Sequence, residues 1–370
     1  MKFDSFRFDE VTVNYDKKRI PLSSMQRAKR QGKYRYYGAQ GVIDYIDDYI
    51  FDGEYLLIAE DGENLKSNKK SIAQIVSGKF WVNNHAHIIG TTSACELKYL
   101  YYLINSMDIS GYITGSAQPK LSQANLNSII LELPSIDKQR SIIKILGILD
   151  EKIQLNNRIN KNLADLLQTV YQEQFGDIGS AENQGTLSDI CTYSKEKVVI
   201  SALNTSNYFS TENMLADKGG ATIASSLPTV SQTTACHKGD TLISNIRPYF
   251  KKIVYCENDC GCSTDVLCFT PNRPQYSAYL FSALYADSFF AFMVAGAKGT
   301  KMPRGDKQQI MTYPVALPSN EELEEFNAIA LPALEQIHSN RVENKRLSAI
   351  RDTLLPKLMS GELDVSEIDF

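Results

Sequence analysis

The stretch DEKIQLNNRINKNLADLLQTVYQEQF, Asp150–Phe175, decides the fold because the chain contains a second copy of it. A shift of 184 residues aligns Leu334–Leu347 with Asp150–Leu163, and six of the fourteen aligned residues are identical. The same shift aligns the Leu-Pro-Ser triplets that begin at Leu133 and Leu317. Since 184 is almost half of 370 residues, the sequence predicts two copies of one plan, a pseudo-two-fold internal repeat.

Both copies have the apolar periodicity of a long helix that pairs with another helix. In the first copy, residues at alternating spacings of three and four form the stripe Leu146, Leu149, Ile153, Asn156, Asn160, Leu163, Leu167 and Val170. The stripe of the second copy is Ala333, Ile337, Asn340, Asn344, Leu347, Arg351, Leu354 and Leu358. This spacing is typical of a coiled coil, although an ordinary amphipathic helix on a single core is the alternative.

Equivalent asparagines occupy the seam of both stripes. A polar residue at such a position weakens packing but selects one alignment of the partner helices. We therefore predict that the helix register is fixed by four side chains, which are Asn156, Asn160, Asn340 and Asn344. Each copy also has a helix-disfavouring residue near its start, Gly147 or Pro332, and we expect a helix break there.

Short apolar runs separated by turn residues predict strands, and the apolar stretch LKYLYYLIN (Leu97–Asn105) predicts a helix, so we expect an α+β protein with two globular parts. Hydrophobic content is 43%, no window is apolar enough to span a membrane, and no signal peptide is recognisable, so we expect a cytoplasmic protein. Seven cysteines, an odd number, fit reduced thiols. Net charge is −6 in residues 317–370 but +1 in each of residues 1–132 and 180–316. We predict globular domains at 1–132 and 180–316, a central helical spacer at 133–179 and a C-terminal helical spacer at 317–370.

A basic stretch in the first domain, Lys17–Tyr37, contains eight Lys or Arg residues and no acid. Phosphates would neutralise such a charge, and arginine and tyrosine suit base edges and stacking. A solvated basic surface is the plain alternative. We predict DNA contacts by nine residues of this stretch, which are Lys17, Lys18, Arg19, Arg27, Lys29, Arg30, Lys33, Arg35 and Tyr36.

Two further groups of residues are predicted to contact DNA. In the second domain they follow the predicted strand at Leu242–Ile246 and are Arg247, Tyr249, Lys251 and Lys252. The loops Gly115–Lys120 and Gly299–Arg304 repeat one pattern, Gly followed by Pro and a base, and provide Lys120, Lys301 and Arg304. Such a loop could clamp a phosphate, or it could equally be a turn that seats the domain on the helices.

Motifs for catalysis are absent from the sequence. There is no Gly-x-Gly-x-x-Gly, no Walker loop and no Asn/Asp-Pro-Pro-aromatic motif of an amino-methyltransferase. His85 and His87 lack a third ligand nearby, and the cysteines from Cys236 to Cys268 do not have the paired spacing of a structural zinc site. We therefore expect no catalytic residue, no metal and no cofactor.

The sequence resembles the specificity subunits of type I restriction-modification systems. The resemblance extends over essentially the whole chain, is weakest in the second helical copy, and is carried by Tyr37–Ala39, Tyr55–Gly62, Trp81–His87, Gly115–Lys120, Leu133–Arg140, Leu149–Ile153, Ile243–Pro248 and Leu334–Ile337. It implies two target recognition domains that read the halves of a bipartite double-stranded DNA site, and two antiparallel coiled-coil helices between them that set the gap. It also implies two methyltransferase subunits and, in the full complex, restriction/translocase subunits as partners.

The length of the predicted helix agrees with this resemblance. A helix of 26 residues measures about 39 Å, close to the roughly 34–36 Å between half-site centres one turn apart on B-DNA. We therefore expect a non-catalytic DNA-recognition subunit. The alternative is a coiled-coil adaptor that joins two protein-binding domains, and a second rival is an enzyme with an unrecognised metal site at His85 and His87 or at the cysteines.

Overall fold

A computed structural model describes residues 2–67, 71–115, 118–181 and 183–365. The chain divides into two compact units. Unit 1 consists of Met1–Ile153 with Lys345–Phe370, and unit 2 is Gln154–Asn344. Both division points lie inside long helices, so each unit contains one globular part together with segments of both helices.

Unit 1 combines a mixed sheet with short helices. Its strands are β1 (Asp4–Arg7), β2 (Thr12–Asn14), β3 (Gln31–Gly38), β4 (Gly41–Ile46), β5 (Phe51–Ala59), β6 (Ala73–Val82), β7 (Ala86–Thr91) and β8 (Ile130–Leu133). Its short helices are α1 (Phe8–Val11), α2 (Ser24–Ala28), α3 (Asn64–Ser67), α4 (Leu97–Ser106) and α5 (Gln123–Asn127). The main sheet has the order β2-β7-β5-β6-β3-β4, and β1 pairs with β8. The apolar face of α4 packs on this sheet, which confirms the helix predicted from LKYLYYLIN.

Unit 2 has smaller sheets and a strongly apolar pair of helices. Its strands are β9 (Gln184–Thr186), β10 (Cys191–Tyr193), β11 (Lys197–Val199), β12 (Tyr208–Phe209), β13 (Gln232–Cys236), β14 (Thr241–Ser244), β15 (Ile253–Tyr255), β16 (Cys260–Cys262), β17 (Val266–Pro271) and β18 (Pro314–Ala316). The sheets have the orders β10-β17-β14-β15, β11-β13-β16-β12 and β18-β9. The helices α7 (Leu187–Ile190), α8 (Ser277–Tyr285), α9 (Asp287–Ala295) and α10 (Lys307–Met311) complete the unit.

The two units share one framework of strands. In unit 1, β2 pairs with β7 and β7 with β5, and in unit 2 β10 pairs with β17 and β17 with β14, all antiparallel. Equivalent partners are Thr12–Thr91 and Leu56–Ile89 in unit 1, and Cys191–Pro271 and Thr241–Phe269 in unit 2. The pairs β1–β8 and β9–β18 also correspond. The predicted internal repeat is therefore confirmed in the topology as well as in the helices.

Two long helices, α6 (Ile136–Phe175) and α11 (Asn320–Met359), have 40 residues each. The predicted breaks at Gly147 and Pro332 are wrong, because both helices run continuously through these residues. Gly147 costs only about 1 kcal/mol relative to alanine, and the Nζ of Lys98 lies 2.9 Å from where a Cβ would stand. Pro332 lies on an exposed face, where water can satisfy the carbonyl that loses its partner.

Within each unit the two long helices run antiparallel. In unit 1, Arg351 contacts Asp150 at 3.0 Å, and Lys138 contacts Asp364 at 3.1 Å. Residues of both predicted stripes are buried or half-buried, as expected for a coiled-coil seam. Within the described ranges no single helix is long and apolar enough to cross a membrane; Pro274–Tyr285 and Asp287–Ala295 reach that length and composition only as a pair bent by 67°.

Candidate nucleic-acid interface

The seam asparagines bind one another within unit 2. Asn156 donates its Nδ2 hydrogens to Oδ1 of Asn344 at 2.9 Å and to Oε2 of Glu343 at 2.7 Å. Asn340 donates from Nδ2 to Oδ1 of Asn160 at 2.8 Å. Asn156 and Asn340 are buried, so these amide contacts form inside the apolar seam. The structure thus brings together all four residues predicted to fix the register.

Three arginines of the basic stretch, Arg19, Arg27 and Arg30, already have acidic partners from other parts of the chain. Arg27 lies on α2 and contacts Asp44 of β4 at 2.8 Å, and its guanidinium covers the ring of Tyr36. Arg30 contacts Asp47 at 2.9 Å and lies over the indole of Trp81. The absence of acids between Lys17 and Tyr37 therefore does not leave these charges unneutralised. Arg27 and Arg30 tie α2 to the sheet.

Tyr36 does not reach the surface. Its side chain is 0% exposed and packs with Ile46 and Trp81. Its hydroxyl accepts a hydrogen bond from the Leu22 amide at 2.9 Å. Since Tyr36 lies on the inner face of β3, the prediction that its ring contacts DNA is wrong.

The lysines of the same stretch remain in solvent. Lys17, Lys18, Lys29 and Lys33 are exposed. Lys17 and Lys18 end a short 3₁₀ turn, Lys29 follows α2, and Lys33 lies on β3 above the ring of Tyr34. Arg35 is exposed too, although its guanidinium donates to the Ser77 carbonyl at 3.0 Å.

Arg19 belongs to a polar cluster at the end of β5. Its guanidinium contacts Glu60 at 2.8 Å and Asp16 at 3.3 Å, and it is only 15% exposed. Lys120 of the Gly115–Lys120 loop contacts the same Glu60 at 3.3 Å. His87 is buried, with Nδ1 2.6 Å from Asp16. The cluster thus joins two groups of predicted DNA contacts, Arg19 and Lys120, through one carboxylate.

The carboxylates of this cluster are held in their charged form. Burial by itself would raise the pKa of Asp16, but the hydrogen bond and charge of His87, the Ile88 amide and the Arg19 charge lower it below its usual value. Burial would likewise raise the pKa of Glu60, but Arg19 and its other cationic neighbours lower it.

One group in the described part of the chain has the spacing of a metal site, namely Asp16, Glu60 and His87, whose ligand atoms lie within 4.8 Å of one another. Arg19 lies against both carboxylates, and Nε2 of His87 donates to the Leu121 carbonyl at 2.8 Å. A cation there would be repelled by the guanidinium, so we assign the group a structural role. The exposed His85 pairs instead with Asp61, at 2.7 Å.

In unit 2 the structure brings the two predicted DNA-contact groups together. The Arg247 amide donates to the Pro303 carbonyl at 2.8 Å, and the Arg247 guanidinium donates to the Lys301 carbonyl at 3.5 Å. Arg304 contacts Asp265 at 3.0 Å. The turn after β14 and the Gly299–Arg304 loop therefore form one basic surface.

Two lysines of this surface are held by neighbouring groups. Lys251 contacts Asp287 at 2.9 Å. The Nζ of Lys252 donates to the Thr211 carbonyl at 2.6 Å, and burial lowers the pKa of Lys252. Tyr249 is exposed at the tip of the turn.

The cysteines of unit 2 lie in a buried apolar cluster. Cys236, Cys256, Cys260, Cys262 and Cys268 pack with residues of β14 and β15. The Sγ atoms of Cys256 and Cys260 lie 3.6 Å apart, and Cys268 donates to the buried Asp240 at 3.2 Å. These thiols form part of the core between the two sheets.

A sequence profile of the type I restriction modification DNA specificity domain matches residues 2–164. Residues 2–164, which are less than half of the chain, are thus similar to that family. A putative type I restriction enzyme specificity subunit of Haemophilus influenzae is 35% identical over 141 residues, which cover 38% of this chain and 36% of the relative. The chain thus matches about a third of that relative's length. The type I restriction enzyme MjaIX specificity subunit of Methanocaldococcus jannaschii is 22% identical over 308 residues, 73% of this chain and 70% of the relative.

A solved structure supports the same fold for the whole chain. The S subunit of a type I restriction-modification system from M. genitalium superposes with a TM-score of 0.60 at 15% identity, covering 97% of this chain and 96% of that one. The matched residues 2–164 include the described strands of unit 1 and the first part of α6. The chain is therefore similar to type I specificity subunits in sequence over residues 2–164 and in fold over nearly all of its length.

Several residues that shape the surface of the specificity domain were missed from the sequence. The acids Asp44, Asp47 and Glu60 bind the arginines of the basic stretch, and they lie on or next to other strands. The position of Asp44 could have been predicted from the turn Gly38-Ala39-Gln40-Gly41, because this turn connects β3 to β4 and aligns the two strands. No sequence feature near Glu60 indicated its contact with Arg19.

Proposed function

We propose that this chain is the non-catalytic DNA-recognition subunit of a type I restriction-modification complex. Its two globular parts each read one half of a bipartite double-stranded DNA site, and the paired helices set the gap between the halves. Two methyltransferase subunits bind the chain, and restriction/translocase subunits join them in the full complex. In this proposal the DNA is read by the domains predicted from the sequence, residues 1–132 and 180–316. The gap is set by the helical spacers at residues 133–179 and 317–370.

The observation that carries the proposal is one loop built twice on the same strand framework. Lys120 forms an antiparallel bridge with Thr114, and Arg304 forms one with Lys298. Each loop contains a glycine with positive φ, Gly115 at +84° and Gly299 at +100°. Ser116 and Ala117 of the first loop lie outside the described residues.

The contacts around these equivalent loops differ. Lys120 pairs with Glu60, which follows β5, whereas Arg304 pairs with Asp265, which precedes β17. A constant scaffold with different polar surroundings is what two readers of different half-sequences require. Each loop presents a cation that can hold a DNA phosphate, because Lys120 and Arg304 remain exposed despite their partners.

Co-expression of the chain with its cognate methyltransferase subunit, followed by mapping of methylated bases, tests this function. The expected result is methylation at two short half-sequences separated by a fixed gap. A catalytically inactive methyltransferase is the control. Methylation without a bipartite motif, or a complex that binds only protein partners, would instead support the adaptor alternative.

A further inference from the structure

The turn after β14 holds two aromatic side chains in solvent. Tyr249 and Phe250 are 49% and 38% exposed, and their ring centroids lie 4.8 Å apart. Met302, on the loop that packs against this turn, is 48% exposed. Tyr249 and Phe250 form an apolar tip on a basic surface, and Met302 adds an exposed apolar side chain on the neighbouring loop. Exposed apolar groups that cluster in this way mark interaction sites more often than isolated ones do.

The backbone of the tip is held rigidly. Arg247 and Lys251 bracket the 3₁₀ turn Pro248–Phe250, and both have left-handed φ angles, +51° and +49°. Such a conformation is unfavourable for residues other than glycine and persists where surrounding contacts impose it. The Phe250 carbonyl accepts from the Asp217 amide at 2.8 Å, and the Lys251 carbonyl accepts from the Lys218 amide at 2.9 Å.

The charge around the tip favours a polyanion. Lys218 and Lys251 share the single carboxylate of Asp287, at 2.8 Å and 2.9 Å, which leaves one positive charge in excess. Arg247, which directly precedes the turn, donates to the carbonyl of the exposed Lys301, and these two residues add two further cations. An aromatic pair framed by cations is the combination that binds nucleic acid through its bases and its phosphates together.

The tip is particular to unit 2. The Asn245 amide donates to the Asp265 carbonyl as the Glu60 amide donates to the His85 carbonyl, so the segments after β14 and β5 correspond. In unit 1 this segment reads Glu60-Asp61-Gly62-Glu63, which is acidic and has no aromatic residue. A contact made by the tip would therefore affect one half of the site only.

We propose that Tyr249 and Phe250 determine specificity in the half-site that unit 2 reads, by packing their ring faces against bases. This inference rests on the proposed function. Arg247 and Lys301 hold the flanking phosphates and so place the rigid turn against the base edges. Ring contacts select bases by their apolar surface, including the thymine methyl group, and by how readily a base step unstacks.

The test uses the full chain with its methyltransferase partner. The Tyr249→Ala/Phe250→Ala variant is compared with the wild type by base-resolution mapping of methylation. We expect methylation of the original site to fall about 5- to 150-fold, the effect of losing a base–aromatic contact. The half-sequence read by unit 2 should become degenerate, while the other half and the gap stay the same. Val230→Ala, which removes an exposed apolar side chain before β13, is the matched control.

The possible failures are distinguishable. A wild type without a bipartite motif overturns the proposed function and the inference with it. A wild-type motif that the double alanine variant reads with unchanged bases and rate overturns only the role of the tip. If the alanine variant methylates nothing, Tyr249→Leu/Phe250→Leu decides by the same criteria, because it keeps apolar bulk and removes the rings.

Discussion

Asn340 donates its Nδ2 hydrogen to Oδ1 of Asn160 across 2.8 Å, inside the seam between α11 and α6. In the alignment that shifts one helix by 184 residues, Asn340 corresponds to Asn156 and Asn160 corresponds to Asn344. Asn156 and Asn344 are also hydrogen-bonded, at 2.9 Å. Two contacts related by the internal repeat thus face each other at one register. A slip by one helical turn would break both contacts and bury amide groups without partners.

Replacing one of these pairs by leucine should stabilise the helices and weaken their register. For Asn160→Leu/Asn340→Leu we expect the free energy of unfolding to rise by about 2 kcal/mol, since two apolar side chains replace two amides in the seam. Denaturant unfolding measures this change, and methylation mapping should show a less uniform gap. Asn156→Ala is the opposite control: it removes the hydrogen bonds that Glu343 and Asn344 accept from Asn156 and should destabilise by about 1–3 kcal/mol. A destabilised leucine variant would contradict this account of the seam.

Removing the exposed lysines of the basic stretch should weaken DNA binding without affecting stability. The variant in which Lys17, Lys18, Lys29 and Lys33 become glutamine is expected to flatten the dependence of log Kd on log salt by up to about 0.9 for each lost phosphate contact. Titration of the methyltransferase complex with duplex DNA at several salt concentrations measures this slope.

The arginine control for that variant should behave in the opposite way. Arg27→Ala removes the contacts with Asp44 and with the Tyr36 ring, so we expect a loss of about 1–3 kcal/mol in stability. Its salt slope should stay close to that of the wild type. An Arg27→Ala variant with full stability and a flattened slope would show that this arginine binds DNA directly.

Acid should destabilise unit 1 through its buried carboxylates. Asp16 and Glu60 have pKa values below their usual ones, so their stabilisation is present above the unfolded-state pKa and is lost as pH falls through the lower folded-state pKa. We expect Asp16→Asn to lose about 3 kcal/mol at neutral pH, because the buried His87 loses the carboxylate 2.6 Å from its Nδ1 and Arg19 keeps only Glu60 as a charged partner. The variant should also show a shallower fall in stability between about pH 5 and pH 2. Urea unfolding across this range checks both points, and an equally steep acid limb would contradict them.

Periodicity predicted the helices well because it depends on neighbours in the sequence. The seam from Leu146 to Val170 and its second copy are buried or half-buried as expected. The same local view failed for Gly147 and Pro332, because a helix held by packing along 40 residues tolerates one weak position.

The candidate site was harder to predict because its arginines form ion pairs with carboxylates that are distant in the sequence. Arg19 meets Glu60 across 41 positions, and Arg30 meets Asp47 across a hairpin. Neither partner lies within the basic stretch, so its charge was overestimated. Tyr36 was misjudged for a related reason: alternation along β3 turns it inward, while Lys33 and Arg35 face solvent.

The repeated loops offer a pair of matched substitutions. Lys120→Ala and Arg304→Ala should each weaken binding to all duplexes and reduce the salt slope by about 1, without changing the recognised bases, because a phosphate contact carries no sequence information. Lys2→Ala, which removes an exposed cation elsewhere in unit 1, is the control. Loss of specificity in either loop variant would show that the loop reads bases.

The length of the paired helices should determine the gap between the half-sequences. Deleting seven residues from each of α6 and α11 removes about two turns, or about 10 Å, which is the rise of about three base pairs. A seven-residue deletion also keeps the stripe of the seam in phase, since the stripe repeats every seven residues. We expect methylation at the same two half-sequences with a gap about three base pairs shorter. A four-residue deletion is the control: it disturbs the stripe and should abolish methylation or destabilise the chain. If the seven-residue deletion changes the half-sequences and keeps the gap, the helices take part in reading bases and do not act as a spacer.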